Sequence, residues 1–144
     1  DKDMIAMPIS PKLRMAVAAS PAYFKNYPVP KAPGDLTSHR CINIRFPTHG
    51  GLYVWEFERR GRQVNVRVDG QATFNTSPHI VLAALDGLGV AFLPEDEFAP
   101  HIEEGRLVRV LQDWCPPFPG YHLYYPSRRQ HSPAFSLVVD ALRL

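Results

Sequence analysis

The chain is 144 residues long, 45% hydrophobic and 21% charged, enough to bury a real core yet near the size of one domain. Its formal charge of +2 is too weak to argue for nucleic-acid binding by this piece, and Cys41 and Cys115 lack metal-ligand spacing. The cysteines leave a disulfide open but read most simply as thiols of a reduced intracellular chain; no apolar run reaches membrane-span length and no signal peptide is visible.

Asp1-Lys2-Asp3 opens without an initiator methionine and runs almost at once into a strand pattern, as a piece cut from a longer protein would. Met4 to Ile9 is an apolar strand or extended crossing, and Leu13 to Ala19 is a second strand of small apolar residues. Ser20-Pro21 starts a short helix with Tyr23, Phe24 and Tyr27 as its aromatic side. Gly34 to Leu36 is one helical turn, and Cys41 to Phe46 a strand that runs into the Thr48 to Gly51 turn. Leu52 to Arg59 alternates, with Tyr53, Trp55 and Phe57 on one side. Arg60-Gly61-Arg62 turns the chain, and Val64, Val66 and Val68 alternate again, which predicts an antiparallel hairpin. The arginines beside aromatics raise nucleic acid as a partner, but a solvated hairpin tip accounts for them better.

Residues 73–94 organise the rest. They read as a polar turn, a helix, a glycine stop and a buried strand, half of an α/β crossover. Ser77 is placed as N-cap and Pro78 at the first helical position, with Ile80, Val81, Ala84, Leu85 and Leu88 on one face. Val90 to Leu93 is the strand. Glu95 to Glu104 reads as a helix, Leu107 to Leu111 as a strand, Trp114 to Gly120 as a proline-rich crossing and Tyr121 to Tyr125 as a strand, before a terminal helix after Ser132-Pro133. Proline-bearing segments mark both junctions of the block from Ser20 to Leu111. The economical architecture is two subdomains joined by two crossings, which creates a cleft.

A catalytic constellation is not visible. Histidines 39, 49, 79, 101, 122 and 131 are scattered, with no paired i,i+4 set, and neither a Gly-x-Ser-x-Gly elbow nor a Walker-type loop occurs. Glu95 and Glu97 sit where a helix dipole favours acids without any chemistry. The residues support a binder over an enzyme, with no metal and no cofactor.

Read as an ordered series, several segments resemble the carboxy-terminal part of a LysR-type transcriptional regulator. They are Ala18-Ala-Ser-Pro-Ala-Tyr-Phe24, Asp35-Leu-Thr-Ser-His-Arg-Cys-Ile42, Trp55-Glu-Phe57, Val68-Asp-Gly70, Ala83 to Pro94, Gly105-Arg-Leu-Val108, and Tyr124-Tyr-Pro-Ser-Arg-Arg129 with Ser132-Pro-Ala134. The resemblance implies an α/β effector module like a periplasmic binding protein, its second subdomain nearly complete and its first partial. Residues 1–19 would be part of subdomain I, 20–111 subdomain II, 112–119 a hinge crossing and 120–144 the return to subdomain I. It implies a small-molecule effector bound in the inter-subdomain cleft at Arg45, Phe46, Thr48, Asn75, Thr76, Ser77, Phe92 and Pro94; a polar or anionic molecule suits these residues, and aromatic and sugar-derived metabolites stay open. It implies self-association as a dimer or tetramer, DNA contact only through an amino-terminal helix-turn-helix outside this chain, no membrane, and a cytoplasmic protein. The rivals are a periplasmic-type solute-binding protein and a small α/β enzyme.

Overall fold

The computed structural model describes residues 4–9, 12–45, 54–68, 72–118, 122–126 and 133–142. Its contacts divide it into two units, one made of the residues up to Leu13 and from Pro117 onward, the other of Arg14–Pro116.

The larger unit is a five-stranded sheet ordered β6-β3-β7-β2-β8. The strands are β2 (Met15–Ala19), β3 (Cys41–Ile44), β6 (Ala72–Phe74), β7 (Val90–Pro94) and β8 (Val108–Val110). β6 and β7 lie parallel to β3, on either side of it, whereas β2 runs antiparallel to both β7 and β8. Side chains alternate across the sheet. Val17, Ala19, Cys41, Val90 and Phe92 enter one core, and Ala16, Ala18, Ile42, Ala91 and Leu93 enter the other.

The first core is covered by helix α1 (Pro21–Asn26), a 3-10 turn at Pro33–Ser38, and a separate hairpin of β4 (Trp55–Arg59) with β5 (Arg62–Val66). Trp55 and Phe57 are buried while Glu56 is exposed, as the alternation predicts. Arg60 and Gly61 both take positive φ, 53° and 77°, the twist that suits a two-residue hairpin loop. Ser20 caps α1, its hydroxyl accepting the Tyr23 N–H at 3.1 Å. The second core is covered by α2 (Ser77–Leu85) and α3 (Glu95–Glu103). Ile80, Ala83 and Ala84 are buried there; Val81 and Leu85 are half-buried, and Leu88, expected on the same face, is 45% exposed because the helix has already ended. Glycine is required at position 89. The Val90 N–H donates to the Arg40 carbonyl at 2.8 Å, and a Cβ on Gly89 would lie 2.4 Å from that same oxygen.

In the smaller unit β1 (Met4–Pro8) pairs antiparallel with β9 (His122–Pro126), and Leu13 and Phe118 exchange backbone hydrogen bonds of 2.9 and 2.8 Å. The unit ends in α4 (Pro133–Leu142), on which Leu137 and Val138 are exposed.

Three sequence expectations need correction. The resemblance groups residues 1–19 with 120–144, but β2 lies inside the larger sheet. Its small side chains are buried on both faces, so it needs a covered sheet and takes β7 and β8 as neighbours. Thr73 and Phe74, expected in a polar turn, belong to strand β6. The N-cap position of α2 is Thr76, with extended φ −138° and ψ 145°, and Ser77 is the first helical residue. Cys41 and Cys115 are both free and buried, so they form no disulfide.

Candidate functional site

Because β6, β3 and β7 run parallel, their carboxyl ends reach the same edge of the sheet, where ligands of open α/β sheets gather. Arg45 follows β3 and is exposed; its N–H donates to the Phe74 carbonyl at 2.9 Å, which holds the end of β3 to the end of β6. Asn75, Thr76 and Ser77 continue from β6 into α2, and Pro94 closes β7 and leads into α3. Two helices therefore start at this edge, each with first-turn N–H groups that have no partner inside the helix, although the Glu95 N–H of α3 is taken by the Arg14 carbonyl at 2.8 Å.

The side chains at the α2 start are engaged with one another. The exposed Thr76 hydroxyl lies 2.7 Å from His79 Nδ1. The half-buried Ser77 lies near the Glu97 carboxylate of α3. Burial raises the Glu97 pKa first and Asp96 adds to it, while the nearby Ser77 hydroxyl opposes both. The structure thus gathers Arg45, Asn75, Thr76 and Ser77 at one edge and adds His79 and Glu97. The sequence offered Glu97 only as a dipole-matched acid; its signal was position, since it lies in the first turn of the helix that follows the neighbouring parallel strand.

Phe92 does not join this group. It is 4% exposed, stacked on Trp55 with ring centroids 5.2 Å apart and 5.1 Å from the Phe57 ring, so its surface is spent on core packing. Pro94 is half-buried, opposite Met15 in the ladder. Phe46 and Thr48 lie outside the described residues. Beyond Pro94, Glu95 pairs with Arg109, which also donates to the Met15 carbonyl at 3.0 Å. Their pair lines a hollow of about 440 Å³ beside α3, with Asp96, Ala99, Ile102 and Gln112. Among the described residues, no group of three or more His, Cys, Asp or Glu side chains is placed to hold a metal ion, and no helix is long and apolar enough to cross a membrane.

The family model described as LysR substrate binding domain matches residues 1–144. A candidate transcriptional regulator of Pseudomonas aeruginosa is 71% identical over 143 residues, covering 99% of this chain and 47% of that protein. The HTH-type transcriptional regulator PgrR of Escherichia coli is 47% identical over 143 residues, covering 99% of this chain and 48% of that protein. The chain therefore spans about half the length of these curated relatives. Among solved structures, the regulatory domain of AphB in Vibrio vulnificus superposes with a TM-score of 0.80 at 25% identity, over 99% of this chain and 68% of that one.

Proposed function

This chain belongs to the LysR substrate binding domain family, and we propose that it is the effector-sensing and oligomerising region of a bacterial transcriptional regulator. The family match over the whole chain, with transcriptional regulators as relatives, carries the reading. The fold is a mixed α/β sheet of the periplasmic-binding-protein-like kind. In this reading the chain has no catalysis of its own, DNA is bound by a helix-turn-helix domain outside it, and the protein works in the cytoplasm.

The effector is a small polar or anionic molecule held against Asn75, Thr76 and Ser77, with Arg45 beside them. Support comes from the convergence of three parallel strand ends and from free helix N–H groups at the α2 start. Regulation requires that the effector bind one conformational or quaternary state more tightly than another. Leu82 and Leu88, 59% and 45% exposed on and after α2, supply apolar surface for self-association as a dimer or tetramer.

Calorimetry on the intact regulator tests the site, using an inducer found by thermal-shift screening. Thr76→Val keeps the shape but deletes the hydroxyl, and affinity should weaken by about 0.5–1.5 kcal/mol, more against a charged ligand group. Arg45→Gln should weaken an anionic inducer further. Unchanged affinity in both folded variants moves the site away from this edge.

A further inference from the structure

We propose that the tip of the β4–β5 hairpin and the 3-10 turn Gln112–Trp114 form a binding pocket for a small anion, a phosphate or carboxylate group, separate from the strand-edge site. The alternation that sends Trp55 and Phe57 into the core brings Arg59, next on that face, toward the body of the unit. There the Arg59 guanidinium carbon lies 5.3 Å from the centroid of the Trp114 ring. The cation–π contact restrains the guanidinium beside the hollow, and a guanidinium presents planar N–H donors that suit bidentate capture of a carboxylate or phosphate. Among the described residues, Arg59 has no hydrogen-bond acceptor and no carboxylate at ion-pair distance.

The surrounding charge points the same way. Arg62 is directly opposite Arg59 in the ladder and Arg60 lies in the turn between them, so three arginines fall within four positions, although of the three only Arg59 lines the hollow. Like charges placed opposite each other in a ladder repel, and a bound anion relieves that repulsion. A hollow of about 210 Å³ lies beside Arg59, lined also by Pro30, Lys31, Gln112, Asp113 and Trp114. It is smaller than the pockets of about 300–1,000 Å³ that hold drug-sized ligands, so it fits a compact anion. Two cations line it against one carboxylate, Asp113, which opposes the anion.

The Gln112 and Cys115 carbonyls accept hydrogen bonds from Arg14 at 3.3 and 2.8 Å, which hold the turn that walls the pocket. Neither the strand-edge residues nor Arg45 contribute to the pocket.

Equilibrium dialysis of the intact protein against labelled inorganic phosphate and, separately, labelled acetate, with ionic strength balanced by chloride, tests the proposal. At least one probe should bind saturably at one site per chain, and the pair of probes shows which anion class the pocket takes. Arg59→Gln and the exposed Lys31→Gln should each weaken that binding at least tenfold, and Asp113→Asn should tighten it. Arg45→Gln should leave it unchanged, which separates this pocket from the strand-edge site. Uptake that never saturates for either probe overturns the proposal. So does saturable binding that survives Arg59→Gln or Lys31→Gln, or that follows Arg45.

Discussion

On one face of the five-stranded sheet the packing is aromatic and carries buried polar groups; on the other it is built largely from alanine and aliphatic side chains. The first face stacks Trp55 and Phe57 on Phe92 and anchors them by a hydrogen bond of 3.1 Å from the Trp55 indole N–H to Asn43 Oδ1. Tyr23 and His39 join at 2.7 Å nearby, and the Tyr23 oxygen also accepts the Arg40 N–H at 3.1 Å. The second face sets Ala16, Ala18 and Ala91 against Ala83 and Ala84 of α2 and Phe98 of α3. Large directional side chains fix where the hairpin sits. Small ones let helices approach the strands closely, and the two helices so placed are those whose starts form the candidate effector edge. The aromatic face is thus the anchor and the alanine face sets the spacing of the site.

The contrast is broken most severely by removing the anchor. Trp55→Ala should cost about 3–5 kcal/mol, read from the urea midpoint at constant m-value, because the ring is 1% exposed and stacked. A loss below about 1 kcal/mol would mean that the hairpin is held from elsewhere. The opposite change tests the other face: Ala18→Leu should cost about 1–3 kcal/mol by forcing the helix layer outward. Near-neutral behaviour there would show that the layer shifts freely. The smallest effect is a pH dependence confined to the aromatic side. The Tyr23 hydroxyl and His39 Nδ1 share a hydrogen bond of 2.7 Å, and burial holds the His39 pKa below its ordinary value. The unfolded chain then takes up the proton first. Stability from this group is present above about pH 6.5 and declines as pH falls from there through the lower native pKa. His39→Gln should flatten that part of the curve of melting temperature against pH.

How far the sequence foretold this follows the range of each interaction. One-sided burial prints an alternation, so the Trp55-Glu56-Phe57 strand was legible, as was the Ser20 cap, which needs only the Tyr23 N–H three residues on. Strand β7 was legible as a strand, but Val-Ala-Phe-Leu is apolar throughout. Nothing local says that Phe92 faces the hairpin, and the family resemblance alone puts it at the effector cleft. β6 spans only three residues, too few to show a period. Ser77 and Thr76 both suit a cap, and the backbone at Thr76 decided between them. Glu97 acquired its role from Ser77, on another helix, through strand order that no local pattern reveals.

The placement of β2 governs how the chain must assemble. Val17 pairs with Phe92 and Val110, residues more than seventy positions later in the sequence, so the middle of the sheet cannot close until nearly the whole of the larger unit exists. At about 5–20 residues per second of synthesis, the emerging β2 waits roughly 4–15 s for its first partner. Contacts of such long range also make folding slow once the chain is complete. During that interval the Ala-Val-Ala-Ala segment is an unpaired apolar strand, exposed to wrong partners until β7 emerges.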